Sequence, residues 1–270
     1  MDTIRSLVLV GGGKMGGAML KGWLNQGLSA AAVTVIDPYP SRWLIERATG
    51  HGFALNPTAP AEADVLVLAI KPQMLDSAAE LVDRLAGPAT LVISVMAGKT
   101  IANLAARMPR ARAFCRAMPN TPASVGRGIT GVAFAPAVTA ERASLAMSLL
   151  GAIGATVNVG DEHLIDAVTA VSGSGPAYVF HMVECLARAG EAAGLPADVA
   201  AQLARATIEG AGELLYREPG TSPEQLRINV TSPGGTTAAA LAVLMGPDGL
   251  APLMERAVAA ARQRAGELSG

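Results

Sequence analysis

A run of glycine and hydroxyl residues, TSPGGTT at positions 231–237, has the composition of a site for a small anionic ligand. Its two glycines let backbone approach a ligand closely, and its two last threonines offer uncharged hydroxyl groups. The alanine-rich stretch that follows predicts a helix whose first N–H groups and positive dipole end suit a carboxylate. The predicted ligand-binding residues are Ser232, Gly234, Gly235, Thr236 and Thr237. The simpler interpretation is that Thr231 or Ser232 only caps the helix.

A glycine-rich turn lies near the other end of the chain, directly after the short apolar run at residues 6–10. Gly11, Gly13 and Gly16 satisfy the pattern G-x-G-x-x-G. In this pattern the first glycine makes a tight turn, the second admits a pyrophosphate and the third lets the helix pack on the strand. The next apolar run ends in Asp37, 21 residues after Gly16, which is the spacing of a ribose-binding carboxylate. The pattern predicts a dinucleotide site.

The elements that must position these residues follow from further apolar runs. Strands are predicted at residues 33–36, 65–70, 90–95, 113–117, 131–134 and 156–159, with helices between them such as residues 73–85. Near-continuous apolar strands suit a parallel sheet covered on both faces. The predicted fold class is therefore α/β, with a doubly wound, dinucleotide-binding Rossmann domain over residues 1–160.

A cofactor cleft in such a sheet lies beyond the carboxyl ends of the strands. Besides the three glycines and Asp37, the residues predicted to contact the cofactor there are Lys14, Met15, Asn56, Ile70, Lys71, Pro72, Met96 and Ala97. Two of them have a simpler interpretation. Lys71 could be an ordinary solvated charge, and Asn56 could be only a loop residue.

Helical periodicity replaces the strand pattern from Leu164 onward, which predicts an all-α C-terminal domain over residues 161–270. The segment SGSGP at residues 172–176 interrupts it, indicating a kink or a close approach by another backbone or a ligand. Residues 222–225 read as a capping box with Ser222 as N-cap. The alanine-rich helices are apolar on more than one face, which favours dimerisation through this domain.

Composition excludes several classes of function. The net charge is −1 and no basic cluster occurs, which argues against nucleic acid or an anionic membrane as partner. No apolar run approaches the roughly 18 residues that span a bilayer, and nothing before the first strand resembles a cleavable leader, so we expect a cytoplasmic protein.

The three scattered histidines predict no metal site and no catalytic triad. Cys115 and Cys185 are predicted to be buried.

Taken together, five blocks of the chain resemble the pyrroline-5-carboxylate reductase family. They are GGGKMG at residues 11–16, AIKP at 69–72, RAMPNTP at 116–122, SGSGPAY at 172–178 and NVTSPGGTT at 229–237. The last three blocks are far more specific than the glycine fingerprint, and together the blocks extend over essentially the whole chain.

The resemblance implies NADH- or NADPH-dependent reduction of 1-pyrroline-5-carboxylate to L-proline, the last step of proline synthesis, by a homodimer or a higher homo-oligomer. It implies that the Thr237 hydroxyl hydrogen-bonds the ring nitrogen, as the catalytic residue, and that Asn229 lies near the nicotinamide end of the cofactor. Ser174 and Pro176 are implied to line the substrate pocket. Residues 118–122 are implied to bridge the cofactor cleft and the substrate, although they could instead be a structural turn.

Two positions depart from the family pattern. Lys14 stands where asparagine is frequent, and it either adds a positive charge near the phosphates or projects into solvent. Asp37 and Pro38 stand where many NADP-using relatives have a small polar residue followed by a basic one. A carboxylate there accepts from the 2′-hydroxyl of NAD and repels a 2′-phosphate, which favours NADH. Arg42 lies close enough in the sequence to bind a phosphate instead.

Two other functions remain open at this point. One is reduction of a different cyclic imine acid with a six-membered ring, because the sequence does not give the volume of the pocket. The other is a catalytically idle protein that binds NAD(P) as a scaffold or a metabolic sensor. The intact TSPGGTT run argues against the second.

Overall fold

A single eight-stranded sheet organises the first part of the chain in the computed structural model, which describes residues 4–269. Met1, Asp2 and Thr3, which precede the first predicted strand, lie outside the described residues. The strands are β1 (Leu7–Val10), β2 (Val33–Ile36), β3 (Ala54–Leu55), β4 (Val65–Leu68), β5 (Leu91–Ser94), β6 (Ala113–Met118), β7 (Gly128–Phe134) and β8 (Gly154–Asn158). Their order across the sheet is β3-β2-β1-β4-β5-β6-β7-β8.

Eleven α-helices are found within the described residues. Those of the sheet region are α1 (Lys14–Asn25), α2 (Arg42–His51), α3 (Ala79–Leu85), α4 (Ile101–Arg107), α5 (Ala140–Leu150) and α6 (Ile165–Val168). They are followed by α7 (Gly175–Ala192), α8 (Ala197–Arg217), α9 (Pro223–Asn229), α10 (Thr236–Leu244) and α11 (Leu250–Ser269). None of these helices is both long enough and apolar enough to cross a membrane.

The chain forms two compact units. Unit 1 comprises residues 4–173 together with the end of the last helix, residues 261–269, and unit 2 comprises Ser174–Ala260. The C-terminal stretch thus returns to the unit that contains the sheet.

Two hydrophobic cores sandwich the sheet of unit 1, because alternate residues of each strand point to opposite faces. In β1, Leu7 and Leu9 belong to the core under α1, α2 and α5, whereas Val8 and Val10 belong to the core under α3 and α4. All four side chains are buried. This coverage of both faces explains why the strands read as continuous apolar runs, and it confirms the predicted doubly wound α/β fold.

A buried tryptophan anchors helix α1 to helix α5, which packs on the same face of the sheet. Trp23 is fully buried, and its indole N–H donates to the carbonyl oxygen of Leu149 in α5 at 2.8 Å. On the same helix, a Cβ at Gly22 would lie 2.5 Å from the carbonyl oxygen of Ala152. Close approach and an indole hydrogen bond therefore fix α1, the helix that begins at the glycine turn.

Several local expectations from the sequence are wrong. The helix expected over residues 73–85 begins only at Ala79, and a short 3₁₀ turn, Pro72–Met74, follows β4. β7 runs antiparallel to β6, although its other neighbour β8 is parallel to it. Ser222 does cap α9 by accepting from the Gln225 amide, but the Gln225 side chain donates to Asn229 Oδ1 and does not complete a capping box.

One cysteine prediction also fails. Cys115 is buried in β6, where burial raises the pKa of its thiol, whereas Cys185 on α7 is exposed. A thiol in apolar surroundings loses the hydration that stabilises its thiolate, so Cys115 stays protonated.

Unit 2 is entirely helical in its regular structure, with α7 and α8 packed on one another. Ala200 and Ala204 of α8 are each 2% exposed, and a Cβ at Gly190 of α7 would lie 3.2 Å from that of Ala200. Small residues thus let these two helices approach closely. Few of their larger apolar residues are buried within the chain.

We expect Trp23→Phe to lower the free energy of unfolding by about 1 to 2 kcal/mol, because it removes a buried hydrogen bond and part of a buried ring. Urea denaturation measures this. The matched control is Trp43→Phe, since Trp43 is 37% exposed and the change should be within about 0.5 kcal/mol. Equal effects at the two positions would contradict the assignment of Trp23 as the anchor of α1.

Candidate active site

The three predicted glycines of the turn between β1 and α1 serve two different purposes. Gly11 has φ of +99°, and a Cβ there would lie 2.6 Å from the carbonyl oxygen of Ala69. A Cβ at Gly16 would collide with the carbonyl oxygen of Gly11. Gly13 differs, because no described atom lies within 4 Å of where its Cβ would be. The first and third glycines therefore serve packing, and the second faces open space that a ligand can occupy.

Helix α1 starts from Gly13 with no side chain capping its first turn and no acidic residue in that turn. Its leading N–H groups and the positive end of its dipole therefore face the open space beside Gly13. This arrangement fits the pyrophosphate of a dinucleotide.

Asp37 is tied to the glycine turn by its side chain. Its Oδ2 accepts from the Gly12 amide at 2.8 Å and its Oδ1 accepts from the Tyr39 amide at 2.9 Å. A carboxylate oxygen has a second lone pair, so both oxygens can still accept from ribose hydroxyls. The bond to Gly12 is a contact that sequence spacing alone did not indicate.

Asn56 holds Asp37 from the other side. Its Oδ1 accepts from the Asp37 amide at 2.8 Å, and its Nδ2 donates to the Asp37 carbonyl oxygen at 2.7 Å. Asn56 itself has φ of +50°, a conformation that asparagine tolerates better than most residues. The side chain of Asn56 therefore fixes the backbone from which the Asp37 carboxylate projects.

A cavity of about 420 Å³ opens beside these residues in unit 1. Two predicted cofactor residues, Asn56 and Ile70, line it. Its other lining residues include Val10, Ile36, Pro38, Pro57, Met74 and Leu81. The walls are mainly apolar, which suits a purine ring. Ile36 and Pro38 could have been found from their position at a strand end, whereas Met74 and Leu81 carried no signal in the sequence.

The remaining predicted cofactor residues of unit 1 lie around the same strand ends. Lys14 is exposed and lines a second cavity, of about 490 Å³, along the start of α1, while Met15 is half-buried. Lys71 precedes the 3₁₀ turn after β4 and is exposed, and Pro72 is the first residue of that turn. Beyond β5, Met96 is 2% exposed and Ala97 is exposed. The buried Met96 side chain thus contributes to the core.

In unit 2, the TSPGGTT run forms the entry to α10. Gly235 is the N-cap, and no side chain caps the helix. The Thr231 hydroxyl donates instead to the carbonyl oxygen of Arg227 at 2.6 Å, at the end of α9. The simpler interpretation, in which Thr231 or Ser232 caps α10, is therefore wrong. The first N–H groups of α10 and the hydroxyls of Thr236 and Thr237 share one helix end.

The geometry of this run favours glycine at position 234 and brings position 235 close to the Ser232 side chain. Gly234 has φ of +71°, which favours glycine. A Cβ at Gly235 would lie 2.5 Å from the Ser232 hydroxyl oxygen, and the Gly235 amide donates to the Ser232 carbonyl oxygen at 3.0 Å. Ser232 is exposed, and Thr237 is half-buried in the first turn of α10.

The other predicted residues of unit 2 lie at the ends of two helices. Ser174 directly precedes α7, and Pro176 is in its first turn; both are half-buried. Asn229 ends α9, is exposed, and accepts from the side chain of Gln225 at 2.8 Å. The predicted interruption of the helix at residues 172–176 takes the form of a π-helical segment, Thr169–Gly173, between α6 and α7. Segments of this kind are frequent at functional sites.

The sheet, the glycine turn and the carboxylate at the end of β2 define a dinucleotide-binding protein of the Rossmann class. The pyrroline-5-carboxylate reductase from Pseudomonas aeruginosa is 38% identical to this protein over 100% of this chain and 98% of its own length. The chain belongs to the pyrroline-5-carboxylate reductase family.

Two family models match separate parts of the chain. The model described as pyrroline-5-carboxylate reductase dimerisation matches residues 162–268. The model described as NADP oxidoreductase, coenzyme F420-dependent, matches residues 6–98, which include the glycine turn and Asp37.

Solved structures agree with this assignment. The pyrroline-5-carboxylate reductase from Coxiella burnetii has a TM-score of 0.90 at 34% identity, over 99% of this chain and 100% of that one. The pyrroline carboxylate reductase from Plasmodium falciparum, solved with NADP bound, has a TM-score of 0.77 at 25% identity over the full length of both chains. This protein uses NADH or NADPH as its cofactor.

We expect the surroundings of Asp37 to favour NADH. A 2′-phosphate beside Asp37 would meet a carboxylate, and the Arg42 side chain is 93% exposed with its Nε 2.7 Å from Glu46 Oε1. We expect the protein to bind NADH at least as tightly as NADPH. We expect Asp37→Ser to raise the NADPH affinity relative to NADH by about tenfold, because it removes the repelling charge.

Fluorescence titration of both reduced cofactors measures this ratio without requiring turnover. Asp64→Ser is the matched control, because Asp64 is a partly exposed carboxylate just before β4, paired with Arg5. A tenfold preference of the unaltered protein for NADPH would rule out the role given to Asp37.

Proposed function

We propose that this protein catalyses the NAD(P)H-dependent reduction of 1-pyrroline-5-carboxylate to L-proline, the last step of proline synthesis. The observation that carries the proposal is its likeness, along its full length, to a pyrroline-5-carboxylate reductase. The predicted cytoplasmic location stays a prediction.

Recognition of the substrate rests on the start of α10. The carboxylate of the imine acid binds the N–H groups of Thr236 and Thr237, next to Gly235, where no side chain competes for them. The Gly235 N–H itself is already donated to the Ser232 carbonyl oxygen. The positive end of the helix dipole adds to this attraction. Gly234 and Gly235 keep the approach free of side chains.

The reduction itself makes modest demands on the protein. The nicotinamide, when bound, supplies a hydride to the imine carbon, which is C2 of the pyrroline ring. A proton on the ring nitrogen completes the change of the C=N double bond to a C–N single bond. If the imine arrives protonated from water, the protein needs only to hold it beside the cofactor, so orientation and electrostatics supply the catalysis.

Thr237 is the residue proposed to act on the reacting atoms. Its hydroxyl, in the first turn of α10, hydrogen-bonds the ring nitrogen and fixes the orientation of the C=N bond. Asn229 is proposed to contact the nicotinamide end of the cofactor, and Ser174 and Pro176 to line the substrate pocket.

An assay of imine-dependent oxidation of NADH and NADPH tests the function directly. We expect turnover with the five-membered imine acid and much slower turnover with its six-membered homologue. Preferred turnover of the larger ring would replace the proposed substrate, and no turnover with either ring would leave a protein that only binds the cofactor.

For the mechanism, we expect Thr237→Ala to lower kcat/KM by an amount equivalent to about 1 to 3 kcal/mol of transition-state stabilisation, since one hydrogen bond to the reacting ring is lost. Thr207→Ala is the matched control. It also removes a threonine hydroxyl from unit 2, but that hydroxyl donates to the Leu203 carbonyl of its own helix. Unchanged kinetics in Thr237→Ala would remove Thr237 from the mechanism.

We further propose that unit 2 forms a homodimer. Its helices leave large apolar side chains exposed within one chain, among them Phe180, Leu203, Leu214, Leu215 and Val243. A second copy of the chain would bury this apolar surface away from water. In addition, the family model that matches residues 162–268 is described as a dimerisation region.

We expect Phe180→Glu to shift the protein towards the monomer, because Phe180 is 63% exposed on α7 and a carboxylate there would have to be desolvated at the interface. Light scattering after size exclusion measures the mass. Val125→Glu, at a residue of unit 1 that is 74% exposed, should leave the mass unchanged. An unaltered dimer in Phe180→Glu would place the interface elsewhere.

A further inference from the structure

Strand β6 contains a charged residue, Arg116, whose side chain is buried in the interior of unit 1. Phe114, Arg116 and Met118 alternate along the strand and therefore share a face. Phe114 enters the core under α3 and α4, but Arg116 is only 3% exposed and is a cation. A buried guanidinium is costly unless it is paired, so its partners should identify what it is for.

The partners of Arg116 lie on the two stretches of chain that join the units. Its guanidinium donates to Glu162 Oε1 at 3.3 Å and to Asp166 Oδ1 at 3.2 Å, on the segment that leads out towards unit 2. It also donates to the Ser269 hydroxyl at 3.3 Å, on the returning end of α11. One side chain of the sheet thus binds both the outgoing and the returning segments.

The carboxylates make further contacts that reinforce these links. The Ser269 hydroxyl lies 3.1 Å from Asp166 Oδ1, which connects the two segments, and 3.0 Å from the Ala265 carbonyl oxygen of its own helix. It donates its single proton to one of these acceptors at a time. Glu162 Oε1 also accepts from the Ile101 amide at 2.7 Å, at the start of α4. Removal of the Arg116 guanidinium would leave the partly buried carboxylates of Glu162 and Asp166 without their shared cation.

Asn120, just beyond β6, holds the outgoing segment a second time. Its Oδ1 accepts from the Ile129 amide at 3.0 Å, and its Nδ2 donates to the Ser172 carbonyl oxygen at 3.1 Å. Ser172 lies in the π-helical segment, two residues before Ser174. A Cβ at Gly173 would lie 2.8 Å from the Met118 Cε, so the strand and this segment also pack closely.

The returning segment has an additional contact. Gly98, with φ of +68°, lies in the loop after β5, and a Cβ there would be 2.8 Å from the carbonyl oxygen of Leu268. In this loop, Gly98 directly follows Met96 and Ala97, which are predicted cofactor residues. The end of α11 is therefore held by β6 and by the loop after β5.

We propose that Arg116 and Asn120 are positioning residues that fix where the chain leaves unit 1 for the predicted substrate residues Ser174 and Pro176, and where it returns. Ser174 is covalently joined to Gly173, so motion of the π-helical segment moves Ser174 with it. The cofactor residues at the ends of β1, β2 and β4 do not depend on these links. The kinetic part of this inference rests on the proposed function.

The experiment compares the full-length variants Arg116→Met and Asn120→Asp with the unaltered protein. Asn120→Asp keeps the size and the acceptor for Ile129 but loses the donor to Ser172. The control is Arg5→Met, which also removes an arginine of unit 1, one paired at the surface with a single carboxylate. Backbone amide exchange and steady-state kinetics are measured for each.

We expect exchange to become about tenfold faster over residues 165–173 in both variants, and over residues 261–269 in Arg116→Met, while the glycine turn is unchanged. We expect the KM for the imine acid to rise about tenfold, with the KM for the cofactor within about twofold of its original value. Arg5→Met should alter neither measurement.

Unchanged exchange in these segments would overturn the anchoring, whatever the activity. Equal changes in both KM values would overturn the positioning role and leave a structural one. If Arg116→Met does not fold, Ser269→Ala takes its place, with faster exchange expected only over residues 261–269. Absence of reductase activity in the unaltered protein would contradict the proposed function, and the exchange data would still decide the anchoring.

Discussion

The hydrogen bond from the Gly12 amide to the Asp37 carboxylate joins the two strand ends on which the cofactor site depends. Parallel pairing brings the carboxyl ends of β1 and β2 side by side, but it does not by itself orient the glycine turn. The Asp37 side chain does so, and Asn56 fixes the backbone of Asp37 in turn. The turn can then present the start of α1 to a pyrophosphate without rearranging, so little ordering entropy is lost when the cofactor binds.

The sequence predicted most of the sheet because a strand buried on both faces is apolar at nearly every position, but it gave no signal for the two-residue strand β3. β2 lies where the pattern placed it, and β4 and β5 differ only at their ends. The pattern was less informative for helices. The residues expected to continue a helix from position 73 form a 3₁₀ turn, where the Ser77 hydroxyl donates to the Met74 carbonyl oxygen and the α-helix begins only at Ala79.

Side-chain contacts that the local sequence pattern does not specify account for the rest. Gln225 has the residue type and spacing of a capping box, yet its side chain donates to Asn229 Oδ1 and does not accept from the Ser222 amide. The chain reverses between β6 and β7 through the turn at residues 119–127, which contains its own backbone hydrogen bonds. The Asn120 side chain in this turn also accepts from the Ile129 amide of β7. At the candidate site, the glycines and Asp37 could be found from spacing, whereas the link from Arg116 to Ser269 spans 153 residues and could not.

A buried arginine is an unusual choice if stability alone is considered. Replacing a buried ion pair by apolar residues of similar size is often neutral or stabilising by about 1 to 4 kcal/mol, whereas removing only one partner costs about 3 to 5 kcal/mol. An apolar contact at this place would tolerate sliding of a helix by a fraction of a turn. A guanidinium shared by Asp166 and Ser269 tolerates much less, because hydrogen bonds weaken steeply when their distance and angle change. The arrangement therefore favours accuracy of position over stability, which is what a reaction that relies on orienting its substrate requires.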